Sequence, residues 1–109
     1  MFTQEEKQLF KIHSDFCSAL ANEKRLQILW LLKGREYSVG ELASELEIST
    51  PNTSQHLRVL RNQGAVVERK EGQQVYYRIA NMKFIEGCMT IREGILETQM
   101  NKNQLLKAQ

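Results

Sequence analysis

No apolar run in this 109-residue chain comes near the ~20 residues that a bilayer-spanning helix requires. The longest, Ile28 to Leu32, holds five. A membrane span is excluded on that count. Cysteine occurs only twice, at positions 17 and 88, too few for the disulfide framework of a secreted mini-protein. Gln4, Glu5, Glu6 and Lys7 stand where an export signal would place its apolar core, so a cytoplasmic protein with reduced thiols is expected. Pro51 is the only proline, and no Gly/Ser linker, repeat or low-complexity tract divides the chain. One domain over residues 1–109 is expected. A chain of this length has little room for a deep substrate cleft, which favours a binding module or an oligomer. It also lacks a nucleophile elbow, a Gly-rich phosphate loop and paired carboxylates, so no enzyme and no cofactor are expected.

What is present is a series of cap signals and apolar stripes. Thr3 with Glu6 forms a capping box, followed by Leu9, Ile12, Phe16 and Leu20 at helical spacing. Asn22 is the N-cap of a second helix with Leu26, Leu29 and Leu32 on one face, ended by Lys33 and an αL-competent Gly34. Ser38 with Glu41 caps a third helix of roughly eight residues carrying Leu42 and Leu46. Ser49 caps a fourth, in which Pro51 is tolerated in the first turn, Leu57 and Leu60 face inward, and Gly64 closes the end.

From residue 65 the period changes to two. Val66–Lys70 and Gln73–Ile79 flank Glu71-Gly72, which reads as a hairpin. After Asn81, the residues Phe84, Cys88, Ile91 and Ile95 recur at helical spacing, giving a fifth helix that fades into a polar end expected to fray from Asn101 to Gln109. The fold class expected is mostly α with a small β-hairpin: a helix-turn-helix made by helices three and four, with the hairpin as its wing.

The net charge is only +2, but it is unevenly placed. Residues 1–48 carry six Lys/Arg and eight Asp/Glu, residues 49–80 five and two, and residues 81–109 four and three. The positive excess therefore falls on the helix-turn-helix and wing, where Arg58, Arg61, Arg69, Lys70 and Arg78 are the cations. Such a local footprint is what binding to phosphate requires, since counterion release dominates affinity for DNA. Helix four opens with Ser49 to His56, short hydroxyls and amides without an acidic residue. Gln and Asn can pair with adenine, and Ser or Thr with several base-edge groups, so Thr50, Ser54 and Gln55 are candidate readers. Arg69, Lys70 and Gln73 surround the hairpin tip and suit contact with the backbone or minor groove. A solvated polar helix and a charged, solubilising hairpin tip are the competing readings.

The runs Ala19-Leu20-Ala21-Asn22-Glu23-Lys24-Arg25-Leu26-Gln27-Ile28-Leu29, Ser38 to Ala43, Ser54-Gln55-His56-Leu57-Arg58-Val59-Leu60-Arg61, Gly64 to Val66 and Arg69 to Tyr77 closely resemble the ArsR/SmtB family of repressors. Their order and spacing extend over about residues 9 to 80. The resemblance implies a homodimeric winged helix-turn-helix regulator whose first and last helices form the dimer interface, and which leaves its operator when an inducer binds. The apolar stripes of helices one and five point the same way, since they exceed what a four-helix core needs. A two-fold dimer would set two recognition helices about one DNA turn, ~34 Å, apart on a palindromic double-stranded operator. The resemblance places Thr50, Pro51, Ser54 and Gln55 at the base-facing positions and Arg69 to Gln73 at the wing tip. With Asn52, Arg58 and Arg61, these make up the expected DNA interface.

The family's sensor sites do not carry over. Its Cys-x-Cys thiolate site would fall where Val39-Gly40-Glu41-Leu42-Ala43-Ser44 stands, and residues 81–109 contain neither His nor Asp for its zinc-type site. Its persulfide-sensing pair would fall at Trp30 and Leu96. No metal is expected. Cys17 and Cys88 nonetheless lie on the two helices expected to meet. They read as small buried hydrophobes, as a redox or sulfur-species switch, or as a soft-metal or arsenite thiolate site needing both protomers. His13 reads as an interface or partly exposed histidine rather than a ligand, His56 as a positioning residue at the helix base, and Trp30, Tyr76, Tyr77 and Phe84 as packing. The leading function is a DNA-binding repressor. The alternative is a winged-helix protein-interaction module without DNA binding, because a fold does not dictate a function.

Overall fold

The computed structural model describes residues 1–98. Local cap chemistry sets the helix starts. Helix α1 (Gln4–Leu20) begins at Thr3, whose hydroxyl accepts from the Glu6 N–H while the Glu6 carboxylate accepts from the Thr3 N–H, a reciprocal capping box. Asn22 Oδ1 accepts from the N–H of both Lys24 and Arg25 and opens α2 (Glu23–Leu32). A second capping box, Ser38 with Glu41, opens α3 (Val39–Leu46). Ser49 caps α4 (Thr50–Asn62), with Pro51 in the first turn where its missing N–H has no intrahelical partner to lose. Helix α5 (Lys83–Thr98) completes the described chain. The polar end expected to fray, Asn101 to Gln109, lies outside the described residues.

The helix ends depart from expectation in one place. Gly34 does not adopt the left-handed conformation; Lys33 ends α2 with helical dihedrals. The left-handed residue of the helix-turn-helix is Glu47, at φ 58°, which closes α3. Gly64, at φ 78°, closes α4 as expected, with the Gly64 and Ala65 N–H groups returning to the carbonyls of Arg61 and Leu60.

The hairpin is β2 (Val66–Glu71) and β3 (Gln74–Ile79), paired from Val66↔Ile79 to Glu71↔Gln74. Its two-residue turn is Gly72-Gln73, one position later than the sequence suggested. Gly72 takes φ 62° at the first central position, as a type II′ turn requires. A third strand, β1 (Tyr37–Ser38), was not foreseen. It pairs antiparallel with β3, giving the order β1-β3-β2.

The core gathers where the helix-turn-helix meets this sheet. Ile28, Leu29 and Leu32 of α2, Leu42 and Leu46 of α3, Leu57 and Leu60 of α4, Val66, Ile79 and Ile85 are buried together. These contacts seat α3, α4 and the wing on one support and leave the other side of α4 free. Helices α1 and α5 contribute little to the core: Ala19 is the one buried residue of α1 and Ile85 that of α5. The two helices meet through Phe16 and Phe84, ring centroids 4.5 Å apart. No helix among the described residues is long and apolar enough to cross a membrane.

Candidate nucleic-acid interface

Helix α4 is divided by its own periodicity. Thr53, Leu57 and Leu60 turn inward and are buried, with the Thr53 hydroxyl donating to the Ser49 carbonyl at 2.9 Å. The opposite side exposes Thr50, Pro51, Asn52, Gln55 and Arg58, with Ser54 half-buried at its edge. No acidic residue stands in the first turn. The positive end of the helix therefore faces solvent together with groups that donate and accept hydrogen bonds, an arrangement suited to phosphates and base edges.

The cations expected at this face fall into two groups. Arg58 and Lys70 are exposed and have no ion pair among the described residues, as is also true of Arg78 on β3. Arg61 and Arg69 are engaged. Arg61 reaches Glu68 at 2.8 Å, and the Tyr77 hydroxyl donates to the same carboxylate oxygen at 3.2 Å. Arg69 donates to Glu36 at 2.9 Å and to Glu71 at 3.3 Å, and its guanidinium lies 4.8 Å from the Tyr76 ring centroid. The hydrogen bond from Arg69 holds the Glu36 carboxyl below its ordinary value, and the two carboxylates raise the basicity of Arg69 in return. Arg69 is thus a cation already partly neutralised by the protein, unlike the bare phosphate contact that the sequence suggested. Gln73 is exposed in the turn beside it. Glu36 lies 33 residues from Arg69 in sequence and carried no signal by spacing.

Behind α4, His56 is half-buried and its Nδ1 lies 3.2 Å from Arg25 Nη1. Burial first, and then the charges of Arg25 and Lys24, lower the His56 pKa and so favour the neutral ring.

The two thiols are free, Cys17 exposed and Cys88 half-buried. Both line one cavity of about 280 Å³ between α1, α2 and α5, whose other walls include Leu20, Leu26, Trp30 and Ile91. Burial, followed by the neighbouring Cys17, pushes the Cys88 thiol up, while Arg92 opposes the shift. A raised thiol pKa lowers the thiolate fraction and slows attack on oxidants. Among the described residues no group of three or more His, Cys, Asp or Glu stands together as a metal site.

Residues 22–67 match the family described as bacterial regulatory protein, arsR family. The transcriptional activator HlyU of Vibrio cholerae is 54% identical over 63 residues, which span 58% of this chain and 58% of that relative. The crystal structure of Rv0081 from Mycobacterium tuberculosis superposes with a TM-score of 0.76 at 36% identity, covering 84% of this chain and 92% of the other. The chain belongs to the arsR family of bacterial regulatory proteins. A further neighbour, the winged helix-turn-helix DNA-binding domain (fragment 1–100) of Mb0332 from Mycobacterium bovis, described as a possible ArsR-family transcriptional regulator, was solved by NMR as a homodimer. It matches with a TM-score of 0.78 at 27% identity over 92% of this chain and 94% of its own. The arsR-family chain is accordingly a winged helix-turn-helix transcription regulator, with α3 and α4 as the helix-turn-helix and β2–β3 as the wing.

Proposed function

We propose that this regulator acts as a repressor, a homodimer of single domains (residues 1–109) that occupies a palindromic double-stranded operator in the cytoplasm and is released by a signal. The observation that carries the reading is the solvent-facing side of α4, where Thr50, Asn52, Ser54 and Gln55 present donors and acceptors beside Pro51 and the cation Arg58. In this reading Gln55, Thr50 and Ser54 address base edges, and Arg58, Arg61, Arg69, Lys70 and Gln73 address the backbone. The dimer is supported by the large apolar side chains that α1 and α5 leave exposed: Leu9, Phe10, Ile12, Ile91 and Ile95.

The test begins with a duplex selected by the purified chain from a random-sequence pool. Affinity for that duplex falls steeply between 50 and 200 mM salt, on the order of 10³-fold for about six phosphate contacts. A winged-helix interaction module would show no saturable duplex binding at any salt. The thiol pair is the proposed entry point for a thiol-directed signal, because Cys17 and Cys88 share one cavity between helices that would border the dimer. Peroxide would convert the two thiols to a disulfide, with peroxide reduced to water, and shift α1 against α5. Release of the selected duplex on such treatment, abolished in Cys17→Ser, supports the switch. Unchanged release in that variant returns both thiols to packing.

A further inference from the structure

The first turn of α2 is an unfavourable place for two cations, because the positive end of the helix dipole lies there. Lys24 and Arg25 occupy it. A local preference broken in this way calls for a compensating contact elsewhere, and the side chains supply it. Neither α1 nor α3 has a basic residue in its own last turn. Lys24 Nζ donates to the carbonyl of Leu46, the last residue of α3, at 3.1 Å. Arg25 Nε donates to the carbonyl of Ala19, in the last turn of α1, at 2.6 Å. Two helix C-termini thus receive their cations from the start of a third helix.

Arg25 has a second hand. Its Nη1 meets Nδ1 of His56 in the middle of α4, next to Gln55. A guanidinium can only donate, so Nδ1 accepts and the imidazole carries its proton on Nε2. The planar fork of arginine holds its two acceptors, one on α1 and one on α4, at a fixed separation; a lysine ammonium would not impose that geometry. We propose that Arg25, acting through His56, is a positioning residue for DNA reading, tying the orientation of α4 to the end of α1. This role rests on the DNA-reading function proposed above. A shift of the α1 end is then passed to Gln55 through one side chain, without passing through the hydrophobic core.

The experiment uses the full chain with three substitutions: Arg25→Lys, His56→Phe and His56→Asn. Each is measured for thermal midpoint, for mass in solution, and for affinity toward the selected duplex and an unrelated duplex of equal length. Arg25→Lys and His56→Phe should lower affinity for the selected duplex about 10-fold while changing the unrelated duplex less than about twofold, the effect of one lost charge-assisted hydrogen bond. His56→Asn places Oδ1 where Nδ1 stood and should recover most of that loss. Equal losses on both duplexes, or an Asn variant no better than the Phe variant, would overturn the role. If His56→Phe fails to fold, the charge-preserving Arg25→Lys decides the question on the same two duplexes. Absence of saturable binding by the unaltered chain strikes the DNA-reading function itself, whereas a failure confined to the variants strikes only Arg25.

Discussion

Two faces of this molecule are exposed for opposite physical reasons. The α1/α5 face presents Leu9, Phe10, Ile12, Ile91 and Ile95, with Leu9 64% and Ile91 65% exposed. Those helices bury one residue each, so the core gains little from holding them. The α4/wing face has the reverse construction. Its inner side is locked into the core by Thr53, Leu57, Leu60, Val66 and Ile79, and its outer side is polar and at ease in water. An apolar face that water disfavours calls for a lasting cover, while a polar face set on a rigid support can take and release a charged ligand at low cost. In the function proposed, the difference separates an assembly surface from a reading surface within fewer than 100 described residues.

The sharpest way to break that comparison is to charge the apolar face. In a lone chain Ile91→Glu alters an exposed position and should change stability by less than about 0.5 kcal/mol. In a dimer it buries an unpaired carboxylate. The expected result is a halved mass by light scattering and a loss of about 100-fold or more in duplex affinity, since two linked recognition helices gain that much over one. An Ile91→Glu chain that keeps the mass of two protomers would remove α5 from the assembly surface. The second test concerns the reading face. Gln55→Ala should cost roughly 1–3 kcal/mol on the selected duplex and little on an unrelated one. Equal losses on both would move Gln55 from base reading to backbone contact.

How far these faces could be read without coordinates depended on the range of the interaction. Thr3 with Glu6, Asn22, Ser38 with Glu41, and Ser49 all marked helix starts correctly, because a cap is settled within three residues. The polar side of α4 was legible for the same reason: its apolar residues recur with the helical period and leave the remainder outside. Strand β1 was not legible. Two residues carry no period, and Tyr37 finds its partner Tyr77 only in the folded sheet. Glu47 was missed as the left-handed residue because glycine is the usual signal there, and this chain places a glutamate at φ 58°. The charge partition counted five cations on residues 49–80 but gave no warning that Arg61 and Arg69 were already paired, Arg69 with a carboxylate outside that segment. Charge counts along a chain are local, and ion pairs are tertiary.

That last gap yields the smallest effect and the finest test of the reading face. A phosphate that uses Arg69 must compete with Glu36, a carboxylate ionised at neutral pH whose pKa the hydrogen bond from Arg69 lowers further. Glu36→Gln keeps the size of the side chain, removes its charge and leaves Glu71 as the remaining carboxylate on Arg69. An exposed pair of this kind contributes little, so affinity should rise only about two- to fivefold. The rise should be the same on the selected and the unrelated duplex, because a backbone contact carries no sequence information. The salt dependence should steepen by no more than about one released counterion. In an Arg69→Ala background the Glu36→Gln change should have no effect, which isolates the pair from any general gain in positive charge. If Glu36→Gln instead weakens binding to both duplexes, the carboxylate is aiming Arg69 at the phosphate, and the wing belongs with the prearranged reading surface.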